Sequence, residues 1–343
     1  MGRNLGFGVA ALALLGGIGF PFVFTNPATT SIAVFTLLFV ACASAWNLFS
    51  GFSGYIALGN AVFFGTGAYA LANLTQHFHV AAGNQIFLLV PVAGLAAAVI
   101  AVPFGWLALR TRRHTFVVIT IAIFFICQLL AYNLTGITNG SSGMLLPVPQ
   151  WGPISYNAHF YAVALIVAVA TVLASWLVRR SRFGLHLLAI KDDEDRARGL
   201  GVPTGQLKLT AFVMAGFFTG MCGAIDAYFL GSIYPPFVFD ALFDVTVALM
   251  CFLGGLGSVS GPVLGALILE PMQQYFTLRY SANGAYLIAY GILFLVIIRF
   301  LPAGIVPTVA QTIRTWQRRR VERVTNKSER SATPVETTSA GRS

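Results

Sequence analysis

The sequence predicts an all-α integral membrane protein. About ten transmembrane segments are expected, with both termini cytoplasmic and with Gly-rich broken or re-entrant segments inside the bundle. Three observations predict this. Charged residues make up 9% of the 343 residues and hydrophobic residues 57%, with a mean hydropathy of +0.78; soluble domains carry about 25% charged residues. Lys and Arg gather at a few places instead of being spread along the chain. Glycine concentrates in two otherwise apolar stretches. Period-2 alternation is absent, so a β-barrel is not predicted.

The segments follow in order. Residues 5–24 read as a retained first helix, because no small-x-small cleavage site follows and Pro21 interrupts the end. Segments 28–50, 55–75, 86–109, 115–134, 158–178 and 207–230 each approach the roughly 20 apolar residues that a spanning helix needs. Positive charge sets their direction. The basic groups are Arg3, then Arg110, Arg112 and Arg113, then the run from Arg179 to Lys208, then Arg299 onward. Placing these inside leaves residues 179–206 as a cytoplasmic loop. Segments 240–254 and 262–278 flank "GGLGSVSG" and leave the chain outside, either as two short spans or as a re-entrant hairpin. Segment 283–299 returns to the cytoplasm. Twenty of the 21 basic residues then lie inside, Arg279 being the exception. The transmembrane domain covers residues 1–306. The tail, 307–343, is basic and expected to be partly disordered, with "RTWQRRRVER" drawn to anionic lipid by about 1 kcal/mol per basic residue.

A net charge of +10 distributed in this way points to a membrane surface and not to nucleic acid. The four cysteines, Cys42, Cys127, Cys222 and Cys251, lie in four different apolar segments and read as small buried hydrophobes. The histidines show no metal-ligand spacing, and no catalytic triad is present. No Gly-Lys pair occurs, so the chain has no phosphate-cradling G-x-x-x-x-G-K-[ST] loop and is expected to bind no cofactor of its own.

One polar stretch stands apart: "RFGLHLLAIKDDEDRARGLGVP", residues 182–203. Asp192 suits an N-cap, and acids then bases over 193–198 suit the macrodipole. Glycine and proline beyond are stop signals. Ile190, Ala197 and Gly201 share one side, a small-residue face for a partner's groove. A solvated loop that merely anchors topology remains the alternative.

The two glycine stretches carry Gly51, Gly54 and Gly59, next to Asn60, and Gly254, Gly255, Gly257 and Gly261. They predict either close helix packing or broken helices beside a solute path. The acids in or near the spans are Asp226, Asp240, Asp244 and Glu270. All are placed toward the external ends, as carboxylates in contact with water, with Asp226 the most buried.

These motifs resemble a known family, the inner-membrane permeases of branched-chain amino acid ABC importers. "NLFSGFSGYIALGNAVFFGTGAYA" (47–70), "TGITNGSSGM" (135–144), "AIKDDE" with "GLGV" (189–202), "GGLGSVSGPVLGALIL" (254–269) and "RFLPAGI" (299–305) occur in the family's order. Asn60 stands where His or Gln is usual, and Lys191 where Arg is common. The resemblance implies that Gly184, Ala189, Ile190, Lys191, Asp193, Glu194, Ala197 and Gly201 couple to an ATPase. It implies that the glycine stretches, with Asn60 and Asp226, line the translocation path. Two ATP-binding cassette subunits, a second homologous permease and an extracytoplasmic solute-binding protein are the implied partners, ATP being held by the partner subunits. The alternatives are an ion-coupled secondary transporter, a permease of the urea or amide type, and a non-transporting membrane scaffold.

Overall fold

A computed structural model describes residues 17, 19–20, 26–280, 291–292, 295, 299 and 304–308. The expected first helix therefore lies largely outside the described residues. So do the last segment, 283–299, and the basic tail.

The long helices, in chain order, are α1 (Pro27–Trp46), α2 (Ala61–His77), α3 (Val90–Ala108), α4 (Arg113–Asn133) and α6 (Pro153–Arg180). They continue with α9 (Thr204–Leu230), α11 (Ala241–Gly254) and α12 (Ser260–Tyr280). Four short helices lie between them: α5 (Thr135–Thr138), α7 (Arg182–Asp192), α8 (Glu194–Gly199) and α10 (Pro235–Val238). Among the described residues, six helical stretches are long and apolar enough to cross a membrane. The chain is a multi-pass membrane protein by that measure.

The bundle has two ends. At one, Asn157 at the start of α6 donates to the carbonyl of Pro27 at 2.9 Å. A two-residue antiparallel pairing there joins Met144–Leu145 (β1) to Ser232–Ile233 (β2). At the other lie the Arg110–Arg113 turn and the polar stretch from Arg179 to Lys208; this is the basic end. α1 runs toward the basic end, and α2 runs back.

Small residues let α9 lie against α2 and α3. A Cβ on Gly67 of α2 would stand 1.9 Å from the Gly220 carbonyl oxygen of α9, and one on Gly223 would stand 2.0 Å from that of Phe64. Van der Waals packing is a main driving term for helix association in lipid, and small residues let the backbones come close enough for it. Around this crossing Phe49, Phe63, Phe116 and Phe212 form an aromatic cluster of edge-to-face and tilted pairs, with ring centroids 5.0–6.2 Å apart.

Between α1 and α2 the helix breaks. A π-turn, Asn47–Gly51, ends α1, and residues 54–60 are not helical. Backbone polar groups at membrane depth require partners, and here side chains supply them. Trp46 Nε1 donates to the Ala57 carbonyl at 2.8 Å, and Ser50 Oγ accepts from the Ala57 amide. Thr120 Oγ1 accepts from Leu58 N at 3.2 Å. Asp244 of α11 accepts from Asn60 N at 2.8 Å and from Ala61 N at 3.3 Å, capping the restarted helix.

The α11–α12 pair packs against α1. The chain leaves β2 at the far end, dips through α10, and reaches its turn beside Gly51 and Lys191 at the basic end. Parity left two spans or a re-entrant hairpin open; the stretch Pro235–Gly254 is long and apolar enough to cross a membrane. The expectation of water-contacting carboxylates is corrected here. Asp244 is 2% exposed and Glu270 is 0%. The dip through α10 places the start of α11 well inside the bundle, so Asp244 sits at depth.

Candidate functional site

The polar stretch forms two short helices laid against the basic end. Ser181 caps α7, its hydroxyl accepting from Gly184 N at 3.2 Å. Asp193 caps α8, accepting from Arg196 N at 2.9 Å with an extended backbone, φ −154° and ψ 107°. The expected cap, Asp192, is instead the last residue of α7. Four consecutive acids made the position ambiguous, and backbone conformation selects the one that is extended.

Ile190 is 0% exposed and Ala197 3%, both packed against this chain's own helices. Of the expected docking side, Ile190 and Ala197 therefore face inward, and only Gly201 stays exposed. A small, apolar face turns to the nearest apolar surface, which is the underside of the bundle. Gly184 is buried too; a Cβ there would stand 2.0 Å from the Val178 carbonyl oxygen. Ala189, Asp193 and Gly201 lie on the exposed side. So do Leu185, at 58% exposure, and Leu200, at 81%.

Three attachments fix the pair, and each begins on a different element. Arg113 of α4 donates to the Ile190 and Lys191 carbonyls at 2.8 and 2.6 Å, satisfying the free C-terminal end of α7. Lys191 donates to the Gly51 carbonyl at 2.9 Å, where the broken segment begins. Glu194 accepts from Lys208 Nζ of α9 at 2.6 Å and from the Tyr55 hydroxyl of the broken segment. Lys208 also donates to Tyr55 at 3.1 Å and sits 4.2 Å from its ring centroid. Its side chain is 2% exposed, against 16% for Glu194. Arg198, at 3.3 Å from Glu194, is mostly solvated.

Electrostatics follow this geometry. Burial pushes the Glu194 carboxyl upward, but hydrogen bonds from Lys208 and Tyr55 and the charges of Lys208 and Arg198 outweigh it. Its pKa falls below the ordinary carboxylate value. Burial lowers the Lys191 ammonium, Asp192 opposes that shift, and the charges of Arg179 and Arg113 add to it.

The two glycine stretches meet at this end. Asn47 accepts from Gly257 N at 2.8 Å and donates to the Ser258 carbonyl at 2.9 Å. Gly54 (φ +75°) lies against Lys191, and a Cβ on Gly257 (φ +81°) would stand 2.9 Å from Lys191 Nζ. Such φ values exclude most other residues. Gly254 and Gly261 make the closest approach at the α11–α12 turn, 1.7 Å from an added Cβ on Gly254 to the Gly261 carbonyl oxygen. Gly255 faces Pro307, with 2.5 Å from an added Cβ to its Cδ. Gly59 lies against the Thr120 carbonyl of α4, and Asn60 is buried with no partner for its Nδ2 among the described residues. Asp226 stands apart, half-buried on the far half of α9, without a side-chain hydrogen bond among the described residues. Gly51, Gly54, Gly257, Lys191 and Glu194 thus form one junction. Arg113, Lys208, Tyr55 and Asn47 complete it, and sequence reading missed all four. No group of three or more His, Cys, Asp or Glu suited to a metal occurs among the described residues.

Comparison with known proteins places this arrangement. The family model for the branched-chain amino acid transport system permease component matches residues 28–298. The high-affinity branched-chain amino acid transport system permease protein LivM of Escherichia coli K12 is 27% identical over 327 residues, covering 88% of this chain and 74% of that protein. LivH of Salmonella typhimurium is 24% identical over 277 residues, covering 77% and 89%. The xylose transport system permease protein XylH of Haemophilus influenzae is 32% identical over 138 residues, covering 39% and 37%. No solved structure matches. With the family model covering most of the chain, the broken helix and the latched polar helix pair are those of a member of the branched-chain amino acid transport system permease family.

Proposed function

We propose that the chain is the membrane-spanning half of an ATP-driven importer in a bacterial inner membrane. It passes branched-chain amino acids, or related small polar solutes, along a path shared with a second homologous permease. An extracytoplasmic solute-binding protein delivers the solute, and two ATPase subunits supply the ATP that this chain has no loop to bind. About ten spans with both termini cytoplasmic fit the basic end being inside.

The observation that carries the reading is the polar helix pair. Its inner face is tied to α4, α9 and the broken segment, while its outer face, with Leu185, Ala189, Asp193 and Leu200, is left exposed. A rigid element with one face bound and one face open transmits a push. The coupling role moves from Ile190 and Ala197 to that outer face. Gly184, Ile190, Lys191, Glu194 and Ala197 act in this reading by holding the pair to the bundle.

The test is uptake of L-leucine into vesicles carrying the whole complex. ATP with the binding protein should drive it. Uptake by this chain alone, driven by a proton or sodium gradient, would replace this reading with secondary transport.

A further inference from the structure

We infer that the far end of the chain carries a receiving site for a small uncharged or zwitterionic solute, formed by the end of α2 and the loop through α5 and β1. This rests on the permease reading and extends it. A pocket of about 480 Å³ opens there, lined among others by Asn73, Gln76, Thr135, Asn139, Ser142 and Met144. That is within the range of small-molecule sites, about 300–1,000 Å³.

The pocket wall is built, not loose. Asn73 Nδ2 donates to the Ile137 carbonyl at 3.0 Å, and Gln76 Nε2 donates to that of Leu145 at 3.3 Å. Asn139 Nδ2 donates to the Gly143 carbonyl at 2.8 Å across the loop. Thr138 Oγ1 donates to the Ala131 carbonyl at 2.6 Å, and β1 pairs with β2. Asn139 holds φ +58° and Gly143 φ +71°. Glycine and asparagine are the residues that adopt such backbone most readily, which suits them to this tight loop.

These bonds use the amide nitrogens and leave the amide oxygens of Asn73, Gln76 and Asn139 without partners among the described residues. The hydroxyls of Thr135 and Ser142 are equally uncommitted. Three acceptors suit an ammonium or an amide N–H, and two hydroxyls can donate to a carboxylate or carbonyl. Met144 and the exposed Ile137 and Leu145 beside them suit an aliphatic side chain. Among the described residues no charged side chain lines the pocket. A site without charge holds its solute weakly, as a transit site must so that the solute can leave.

The experiment uses the assembled transporter in sealed lipid vesicles. Ser142→Cys is labelled with a maleimide in the presence of L-leucine or acetamide, and separately with glutamate or arginine. Slowing of labelling several-fold by L-leucine or acetamide, and not by the charged amino acids, is expected. Ser142→Trp, which fills the pocket from an exposed position, should lower ATP-driven uptake at least ten-fold. The ATPase subunits should still co-purify, and the binding-protein concentration for half-maximal hydrolysis should be unchanged. Absence of protection by both probes, or wild-type uptake by Ser142→Trp, overturns the site. A raised half-maximal binding-protein concentration overturns it in favour of protein docking. Wild-type complex in the same vesicles reports on the permease reading separately: if it shows no ATP-driven uptake, that reading fails first.

Discussion

The Glu194–Lys208 pair yields a prediction whose sign depends on which partner is removed. Lys208 is 2% exposed, and its neighbours are Glu194 at 2.6 Å and Tyr55 at 3.1 Å. Replacing Glu194 with Leu leaves a deeply buried ammonium with one hydroxyl for company. Uncompensated buried charges cost about 3–5 kcal/mol. Replacing Lys208 with Met leaves the carboxylate, which is 16% exposed and keeps Arg198 at 3.3 Å and the Tyr55 hydroxyl. That loss should be smaller, about 2 kcal/mol. The double variant removes both charges and puts two apolar side chains together, which is often close to neutral. The order of stability should be wild type, then the double variant, then Lys208→Met, then Glu194→Leu. Thermal unfolding in detergent reads this order. Tryptic cleavage at Arg196 and Arg198 reports whether the helix pair has come loose. A double variant as unstable as the sum of the single losses would refute the pairing as the attachment.

Further predictions follow from the same geometry. Acidification should weaken the attachment through Glu194. Its folded pKa lies below its ordinary value, so its contribution is complete above the ordinary carboxylate pKa and is lost as pH falls through the folded value. Stability should be flat through neutral pH and fall in acid more steeply for wild type than for Glu194→Gln; equal slopes would assign the acid loss elsewhere. Gly54→Leu should abolish uptake at normal membrane levels, because φ +75° excludes leucine and a Cβ would stand 3.1 Å from Lys191 Cγ; wild-type uptake would show that this backbone can relax. Cysteines placed at Ser142 and at Asp193 should label from opposite sides of the membrane; labelling from one side would remove the ten-segment topology.

The helices were legible because length and hydropathy set them. Segments 115–134 and 207–230 agree with α4 and α9 to within a few residues. The glycine stretches were legible as places of close approach, and both carry contacts that no Cβ would permit. What the sequence hid is mostly a matter of facing. Ile190 and Ala197 announced a packed side, but a small-residue stripe has the same appearance whether its partner is another protein or the chain's own bundle. Tyr55 and Lys208 meet across 153 positions, and Arg113 reaches Ile190 across 77. A lone lysine at the start of an apolar span and a lone tyrosine after "GFSG" gave no local sign of a shared carboxylate. Asp244 was misplaced for a different reason. Its distance along the chain from the loop suggested an interface, whereas the α10 dip takes up that distance before α11 begins.

The most direct test of the account is the outer face of the polar helix pair. Ala189 is exposed on α7, and arginine there keeps helix propensity while adding bulk and charge to that surface. Loss of a well-packed anchor commonly costs about 2 kcal/mol, roughly a thirty-fold weaker association. Pull-down of the ATPase subunits with Ala189→Arg from detergent, alongside solute-stimulated hydrolysis, is the measurement. The account predicts normal insertion and thermal stability, with loss of both the ATPases and the stimulated hydrolysis. Full recovery of the ATPases together with wild-type uptake would contradict it.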